Sequence, residues 1–425
     1  MHAQTIQAPR QRRLTPLIVA IAAASSSAAW ADEPTPFFIG VKQAFVHDSN
    51  VYRVPDGDGD YYSITTLLGG FDQKISRQRL YANANVGYNK YKNATTLDNT
   101  SYGVVAGWDW ATIENLSGNF NASANQNLAS FDGNNNVPTT TRNLVKTDQL
   151  AASIRWGGEG LLTLEGSYAH SRVRYSDPAY LSSESSADTA SIGGYYRAGA
   201  SLRLGLALRG TRTDNPYAVL KPGVVNIPPT RDDYESNRTT GDNVDLLADW
   251  RYSDQTSVNA RVSYTRQRNS RPEVEDFSGV TGGLTATYAP TAKLKFELQL
   301  ARDAGSNATF FNVVNAPTGA PAYGLSQGSQ TTDVVALGLR YEATAKVNVN
   351  AGYRYRHAKI VRSSTGTATE QSDNLHGVTL GVTYDFARSL QFGCDLGHEN
   401  RDVTGTPAYA YKANTVGCSV QFLLK

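Results

Sequence analysis

Leu294-Lys295-Phe296-Glu297-Leu298-Gln299-Leu300-Ala301 sorts its side chains by parity. Leu294, Phe296, Leu298 and Leu300 share one face of an extended strand, whereas Lys295, Glu297, Gln299 and Ala301 share the other. The same alternation returns along the chain in segments of about ten residues, the length an antiparallel strand needs to cross a bilayer at a tilt. The connections between segments are alternately very short and rather long. This rhythm predicts an all-β protein: a transmembrane antiparallel β-barrel with lipid on one face and water or protein on the other.

Reading outward from that stretch gives eighteen strands, with sixteen as the alternative count. The first nine are expected at 37–48, 61–72, 78–91, 100–111, 115–128, 147–156, 161–174, 187–197 and 201–212. The second nine are expected at 243–252, 256–268, 276–288, 293–303, 331–342, 346–357, 373–386, 390–400 and 411–422. Connections after even-numbered strands are turn-like, as at Thr112 to Glu114 and Ala387 to Ser389. Those after odd-numbered strands are mostly longer, reaching Thr213 to Asp242 and Ala304 to Gln330. Short periplasmic turns and long external loops are the asymmetry of outer-membrane barrels, and an even count returns both chain ends to the periplasm.

The first 31 residues read as an address. Arg10, Arg12 and Arg13 precede the mostly apolar run Leu14 to Ala24, and Ala29-Trp30-Ala31 supplies a small-x-small cleavage site before Asp32, the pattern of a secretory signal peptide. Its removal takes away three Arg and no acid, so the formal charge goes from +2 to −1. A chain this close to neutral carries no basic footprint for nucleic acid. Residues 32–425 are expected to form one barrel domain, since a single pattern runs from Phe37 to Phe422.

Aromatic residues orient the barrel. Beyond Trp30, the tryptophans are Trp108, Trp110, Trp156 and Trp250, all just before short turns. They mark the periplasmic interface, where an amphipathic ring sits at headgroup level, and Tyr252, Tyr288, Tyr341 and Tyr384 extend the girdle. Tyr88, Tyr168, Tyr264 and Tyr355 form a second ring toward the opposite strand ends. Both cysteines fall in the last two strands, Cys394 on a face with Phe392 and Leu396, and Cys418 on a face with Val416 and Val420. If these strands pair as the closing hairpin, a cross-strand disulfide can form in an oxidising compartment. The alternative is two unpaired small apolar residues facing lipid.

The polar faces carry the functional signal. Arg79, Tyr81, Asn83, Asn85 and Asn89 share a side of the third strand, and Ser117, Asn119, Asn121, Ser123 and Asn125 share one of the fifth. Charges of both signs join them: Arg203 and Arg209, Asp245 with Asp249 and Arg251, Lys295 with Glu297, and Arg354 with Arg356. Amides, hydroxyls and mixed charge can hydrogen-bond sugar hydroxyls without selecting strongly for either sign of ion. Such a wall also fits a solvated interior braced by internal ion pairs.

Motifs for chemistry are sparse, and no enzyme, cofactor or metal site is expected. Gly324-Leu325-Ser326-Gln327-Gly328 matches G-x-S-x-G, yet it lies in a long loop without the strand-turn-helix context of a nucleophile elbow. Asp56-Gly57-Asp58-Gly59-Asp60 resembles the start of a calcium loop, but Tyr61 stands at the turn glycine and Leu67 at the bidentate glutamate, so an acidic external loop is the better account. The six histidines show no metal-ligand spacing, and Asn134 to Asn136 is a polar loop run.

Three stretches resemble a family. His47-Asp48-Ser49-Asn50-Val51-Tyr52-Arg53 ends the first strand, Lys74-Ile75-Ser76-Arg77-Gln78-Arg79 makes the first tight turn, and Gly107-Trp108-Asp109-Trp110 ends the fourth strand. Together they resemble the outer-membrane β-barrels encoded with exosortase-associated exopolysaccharide biosynthesis systems, within a wider β-barrel porin group. The resemblance implies a place in the outer membrane of a Gram-negative bacterium. It also implies a non-enzymatic role in exporting or assembling an extracellular polysaccharide, with periplasmic or outer-membrane export components as partners. A small-sugar or general diffusion porin is the alternative. The chain departs from many such barrels at its end, where Phe422 is followed by Leu423-Leu424-Lys425 instead of closing on an aromatic residue.

Overall fold

The computed structural model describes residues 35–424 apart from 132–139, 159, 222–229, 272–275, 306–312, 315–320, 323–329, 365–366 and 405–409. The expected signal peptide, the Gly324 to Gly328 motif and Asn134 to Asn136 lie outside the described residues. The strands are β1 (Phe37–Asp48), β2 (Asp60–Ile75), β3 (Gln78–Tyr91), β4 (Asn99–Ala111), β5 (Leu116–Leu128), β6 (Leu144–Trp156) and β7 (Leu162–Tyr175). Next come β8 (Ser185–Arg197), β9 (Leu202–Leu220), β10 (Tyr234–Ser253), β11 (Thr256–Asn269), β12 (Phe277–Thr291) and β13 (Leu294–Gly305). After β14 (Val313–Val314) and β15 (Pro321–Ala322), a separate two-stranded ribbon, follow β16 (Gln330–Glu342), β17 (Val347–Ser364), β18 (Thr367–Ala387), β19 (Leu390–Thr404) and β20 (Tyr411–Leu424).

The eighteen long strands form one antiparallel sheet that closes on itself. β1 pairs with β2 on one side and with β20 on the other, from Ile39 opposite Leu424 to Asp48 opposite Thr415. Closure leaves no unpaired edge, so the backbone satisfies itself without water. Leu424 takes the last outward position of β20 and stays half exposed beside β1, where many barrels present an aromatic ring.

Parity decides which side chains meet lipid. In register across β9, β10 and β11, Leu206, Leu246 and Val262 form an outward row exposed by 56%, 60% and 54%. A continuous apolar belt of this kind, left bare around a closed barrel, is what a bilayer covers. The buried set is correspondingly polar, and includes Arg401, Asn143 and Ser263. Trp108, Trp156 and Trp250 point outward near the short turns, and the Trp108 indole N–H donates to Gln78 Oε1 at 2.8 Å. Tyr88, Tyr168 and Tyr264 point outward nearer the opposite rim. Both girdles stand where the spacing of aromatic residues placed them.

The tight turns follow their residues. Ser76, between β2 and β3, sits at φ 56°, and Gly199, between β8 and β9, at φ 89° with open space around it. A side chain is rarely found at such φ unless it is Gly or a small polar residue. On the opposite rim the sequence underestimates the strands. Residues 213–242 were expected to be a loop, yet β9 runs on to Leu220 and β10 begins at Tyr234, with Thr213 opposite Thr239 and Asn215 opposite Asn237. β17 and β18 likewise continue to Ser364 and from Thr367. Above the bilayer neither face need be apolar, so these hairpin extensions carry no alternation to read.

Polar side chains anchor the loop between β1 and β2. The Asp60 carboxylate accepts the backbone N–H groups of Tyr61, Asn93 and Ala94 at 2.8 to 3.1 Å, which makes it an anchor between two loops. Arg53 donates to Asp48 at 2.9 Å and to Glu399 of β19 at 3.0 Å. Burial works against its charge, but Glu399 and Asp48 outweigh it and hold the guanidinium above its ordinary pKa.

Cys394 and Cys418 stand directly opposite each other in the β19–β20 hairpin and are joined by a disulfide across 24 residues. A loop of that length is worth about 3 kcal/mol in chain entropy, less whatever restraint the closed ladder already imposes. The Cys394→Ala/Cys418→Ala variant is therefore expected to melt several degrees lower in detergent. Wild-type protein under strong reductant should show the same shift, and identical melting with and without reductant would remove the bond from the stability account.

Candidate functional site

The inward faces build two unlike walls. On β3 to β5 the wall is made of amides and a phenol. The Tyr81 hydroxyl donates to Asn121 Oδ1, and Asn121 Nδ2 donates to Asn119 Oδ1 at 3.4 Å. The Tyr81 ring lies over Gly107, its register partner on β4, where an added Cβ would fall 2.2 Å from the ring. Asn83 leans over Gly70, and Asn85 with Asn125 over Gly103. Glycine on one strand thus makes room for the large or polar side chain on the next. At the short-turn end Arg79 forms a bidentate pair with Asp72 at 2.6 and 2.8 Å, lies 3.6 Å from Asp109, and places its guanidinium 4.8 Å from the Tyr81 ring centre.

On β6 to β13 the wall is a ladder of ion pairs. Arg155 meets Glu165 at 3.0 Å, and Arg203 lies 3.7 Å from Asp249 with its guanidinium over the Tyr195 ring. Arg209 grips Asp245 through two hydrogen bonds of 2.8 and 3.0 Å. Arg261 continues the chain, 4.0 Å from Asp245 and 3.7 Å from Asp303, and donates to Ser263 Oγ at 2.9 Å. A recess of about 360 Å³ opens between these groups, lined by Glu165, Ser191, Tyr195, Arg209, Asp245 and Arg261 among others. Its depth comes from small residues, since Gly205 opposite Tyr195 and Gly193 opposite Ala207 leave the wall thin.

The remaining candidate residues separate by partner. Glu297 accepts from Gln299 Nε2 at 2.6 Å on its own strand, and Lys295 is exposed near the short-turn end with no ion pair among the described residues. Arg354 and Arg356 share the inward face of β17, but Arg356 is committed to Asp373 at 2.9 Å. Asp373 also takes two bonds from Arg401, at 2.9 and 2.7 Å, and Asp373 and Arg401 are buried, with Arg356 largely so. Parity placed Lys295, Glu297, Arg354 and Arg356 on the lumen side. It did not show that Arg356 serves a buried brace, nor that Arg261, Asp303 and Arg401 belong to the same networks, because those contacts depend on register between strands.

Chemically, both walls can donate and accept many hydrogen bonds while presenting little uncompensated charge. Amide groups offer donor and acceptor together, and an arginine paired with a carboxylate keeps N–H groups free. Among the described residues no three His, Cys, Asp or Glu side chains gather as metal ligands.

No family model and no curated protein matches the sequence. The chain is similar in structure to OccK1 (OpdK) of Pseudomonas aeruginosa, with a TM-score of 0.46 and 11% identity over 91% of this chain and 98% of that one. It is also similar to the siderophore receptor PirA of Acinetobacter baumannii, with a TM-score of 0.43 and 8% identity over 92% of this chain and 81% of that one. A third neighbour is the ferric enterobactin receptor PfeA of Pseudomonas aeruginosa, in a mutant form, with a TM-score of 0.44 and 8% identity over the same shares.

Proposed function

We propose that this barrel lies in the outer membrane and acts as a non-enzymatic conduit for an extracellular polysaccharide. The observation that supports this reading is the presence on one lumen surface of an amide wall, Tyr81, Asn83, Asn85, Asn119 and Asn121, together with a set of compensated charges on β9 and β10. A neutral polyhydroxylated chain can exchange hydrogen bonds along such a surface, whereas an ion would meet little net attraction. Eighteen strands leave a lumen wide enough for solute. The sequence resemblance to barrels of exopolysaccharide systems supplies the polymer and its direction. Export components of the periplasm and outer membrane would deliver it.

A small-sugar porin is the second reading, and the recess beside Tyr195 and Arg209 favours it, because about 360 Å³ suits a small polar ligand better than a polymer passing through. Planar bilayers separate the two. An exporter is expected to stay largely closed without its partners, and deletion of the gene should abolish surface polysaccharide while cytoplasmic precursors accumulate. A steady open conductance with sugar uptake into liposomes, together with normal surface polysaccharide in the deletion strain, would replace export by diffusion.

A further inference from the structure

A second concentration of charge lies outside the lumen, on the lipid side of the barrel. Across β9 to β12 the outward apolar belt ends in a row where Leu208, Val244, Tyr264 and Val280 are in register. Directly beyond it, away from the short turns, the outward positions change character. The next row places Asp242 beside Arg266, and the one after it places Arg212, Thr240 and Arg268 side by side. A further step brings Arg238 beside Asp214. β7 extends the same band with Arg172 and Arg174.

Acids only partly neutralise this band. Asp214 accepts from both Arg212, at 3.1 Å, and Arg238, at 2.6 Å, so one carboxylate serves two guanidinium groups. Arg268 reaches Asp242 at 3.4 Å, and that aspartate is 75% exposed. On β7, Arg174 meets Asp148 of β6 at 2.8 Å, while Asp188 of β8 is engaged by His170 and Tyr168. Arg172 and Arg266 make no ion pair among the described residues, and both are exposed. Neighbouring strands lie about 4.8 Å apart, so Arg212 and Arg268 stand about 10 Å apart with Arg238 and Arg266 between and beside them. At the same height on the opposite arc, the outward groups include His47, Tyr61, His398 and Asn414 with the two lysines Lys90 and Lys412, and no arginine among these.

Arginine carries five donors in a planar fork, and a guanidinium already bonded to one carboxylate still has N–H groups for a phosphate. Just beyond an aromatic and apolar belt, on the outward face, is the level at which a bilayer presents its headgroups. We propose that the outward arginine patch of β7 to β11 binds the phosphates of a phosphorylated glycolipid of the outer leaflet, of the lipid A class. This inference rests on the reading of the chain as an outer-membrane barrel with its short turns in the periplasm. Charge complementarity carries it: net positive charge at headgroup height, arranged on this arc as clustered arginine forks, where the opposite arc carries only scattered lysines.

The test uses the full chain purified in detergent. Bisphosphorylated lipid A, dephosphorylated lipid A and phosphatidylglycerol serve as probes, with binding followed by native mass spectrometry or lipid fluorescence. Wild-type protein is expected to prefer the bisphosphorylated form and to bind it more weakly as salt rises. Arg212→Gln/Arg266→Gln/Arg268→Gln should lose about tenfold in affinity. Lys90→Gln/Lys412→Gln, on the opposite arc, should bind as wild type does. Unchanged affinity in the triple variant, equal binding of phosphatidylglycerol, or no lipid A binding by a folded barrel would overturn the proposal. Running the same samples on gels with and without boiling separates its failure from that of the barrel reading, since a chain with no heat-shifted band overturns both.

Discussion

Leu246→Arg is expected to cost about 2–4 kcal/mol of folding free energy and to deplete the folded species assembled in lipid vesicles. The side chain is 60% exposed and sits in the middle of the outward row with Leu206 and Val262. For a protein surrounded by water, replacing so exposed a leucine changes stability by no more than about 0.5 kcal/mol. In a bilayer the same position faces hydrocarbon, and the guanidinium must either be dehydrated or drag water inward. Urea unfolding in vesicles measures the difference, and the unboiled gel band reports the folded fraction. Arg266→Leu, on the same outward face but above the belt, should be tolerated. A Leu246→Arg variant as stable as wild type would remove the membrane from the account of this barrel.

The second large effect is inside. Asp373→Asn is expected to destabilise the barrel by about 3–5 kcal/mol, because it leaves one buried and one largely buried guanidinium group without their shared counter-ion. Arg401 is 2% exposed and Arg356 15%, so water cannot easily replace the lost carboxylate. The amide keeps the shape and one acceptor, which isolates the charge as the cause. Replacing all three groups at once, as Arg356→Met/Asp373→Leu/Arg401→Met, should recover most of the loss, since apolar groups of similar size need no counter-ion. Equal stability of Asp373→Asn and wild type would show the triad to be solvated and free to meet substrate. In that case Arg356 returns to the set of lumen residues available for binding.

These two sites differ in how far each was legible. Leu246 is outward by parity alone, and parity is a local property of successive residues. Asp373 and Arg401 are 28 positions apart in the chain, and Arg209 and Asp245 are 36 apart. Their meeting requires the register of β18 against β19 and of β9 against β10. The cysteines show the boundary within one feature: parity put both thiols on the outer face, and only the alignment of Cys394 with Cys418 made them a pair. Gly107 likewise reads as an ordinary strand glycine until β3 is laid beside β4 and the Tyr81 ring is found in the space it leaves.

What the sequence determined by itself is therefore the barrel, its eighteen strands, its lipid face, its girdles and the polarity of its lumen. Each follows from a two-residue period that lipid on one side and polar surroundings on the other impose on every strand. The tertiary structure alone decided which lumen charges are braced and which are accessible, how far the hairpins rise beyond the bilayer, and where outward arginines gather. Those depend on contacts between distant segments and on regions where both faces are polar, and there the alternation that made the fold readable is absent.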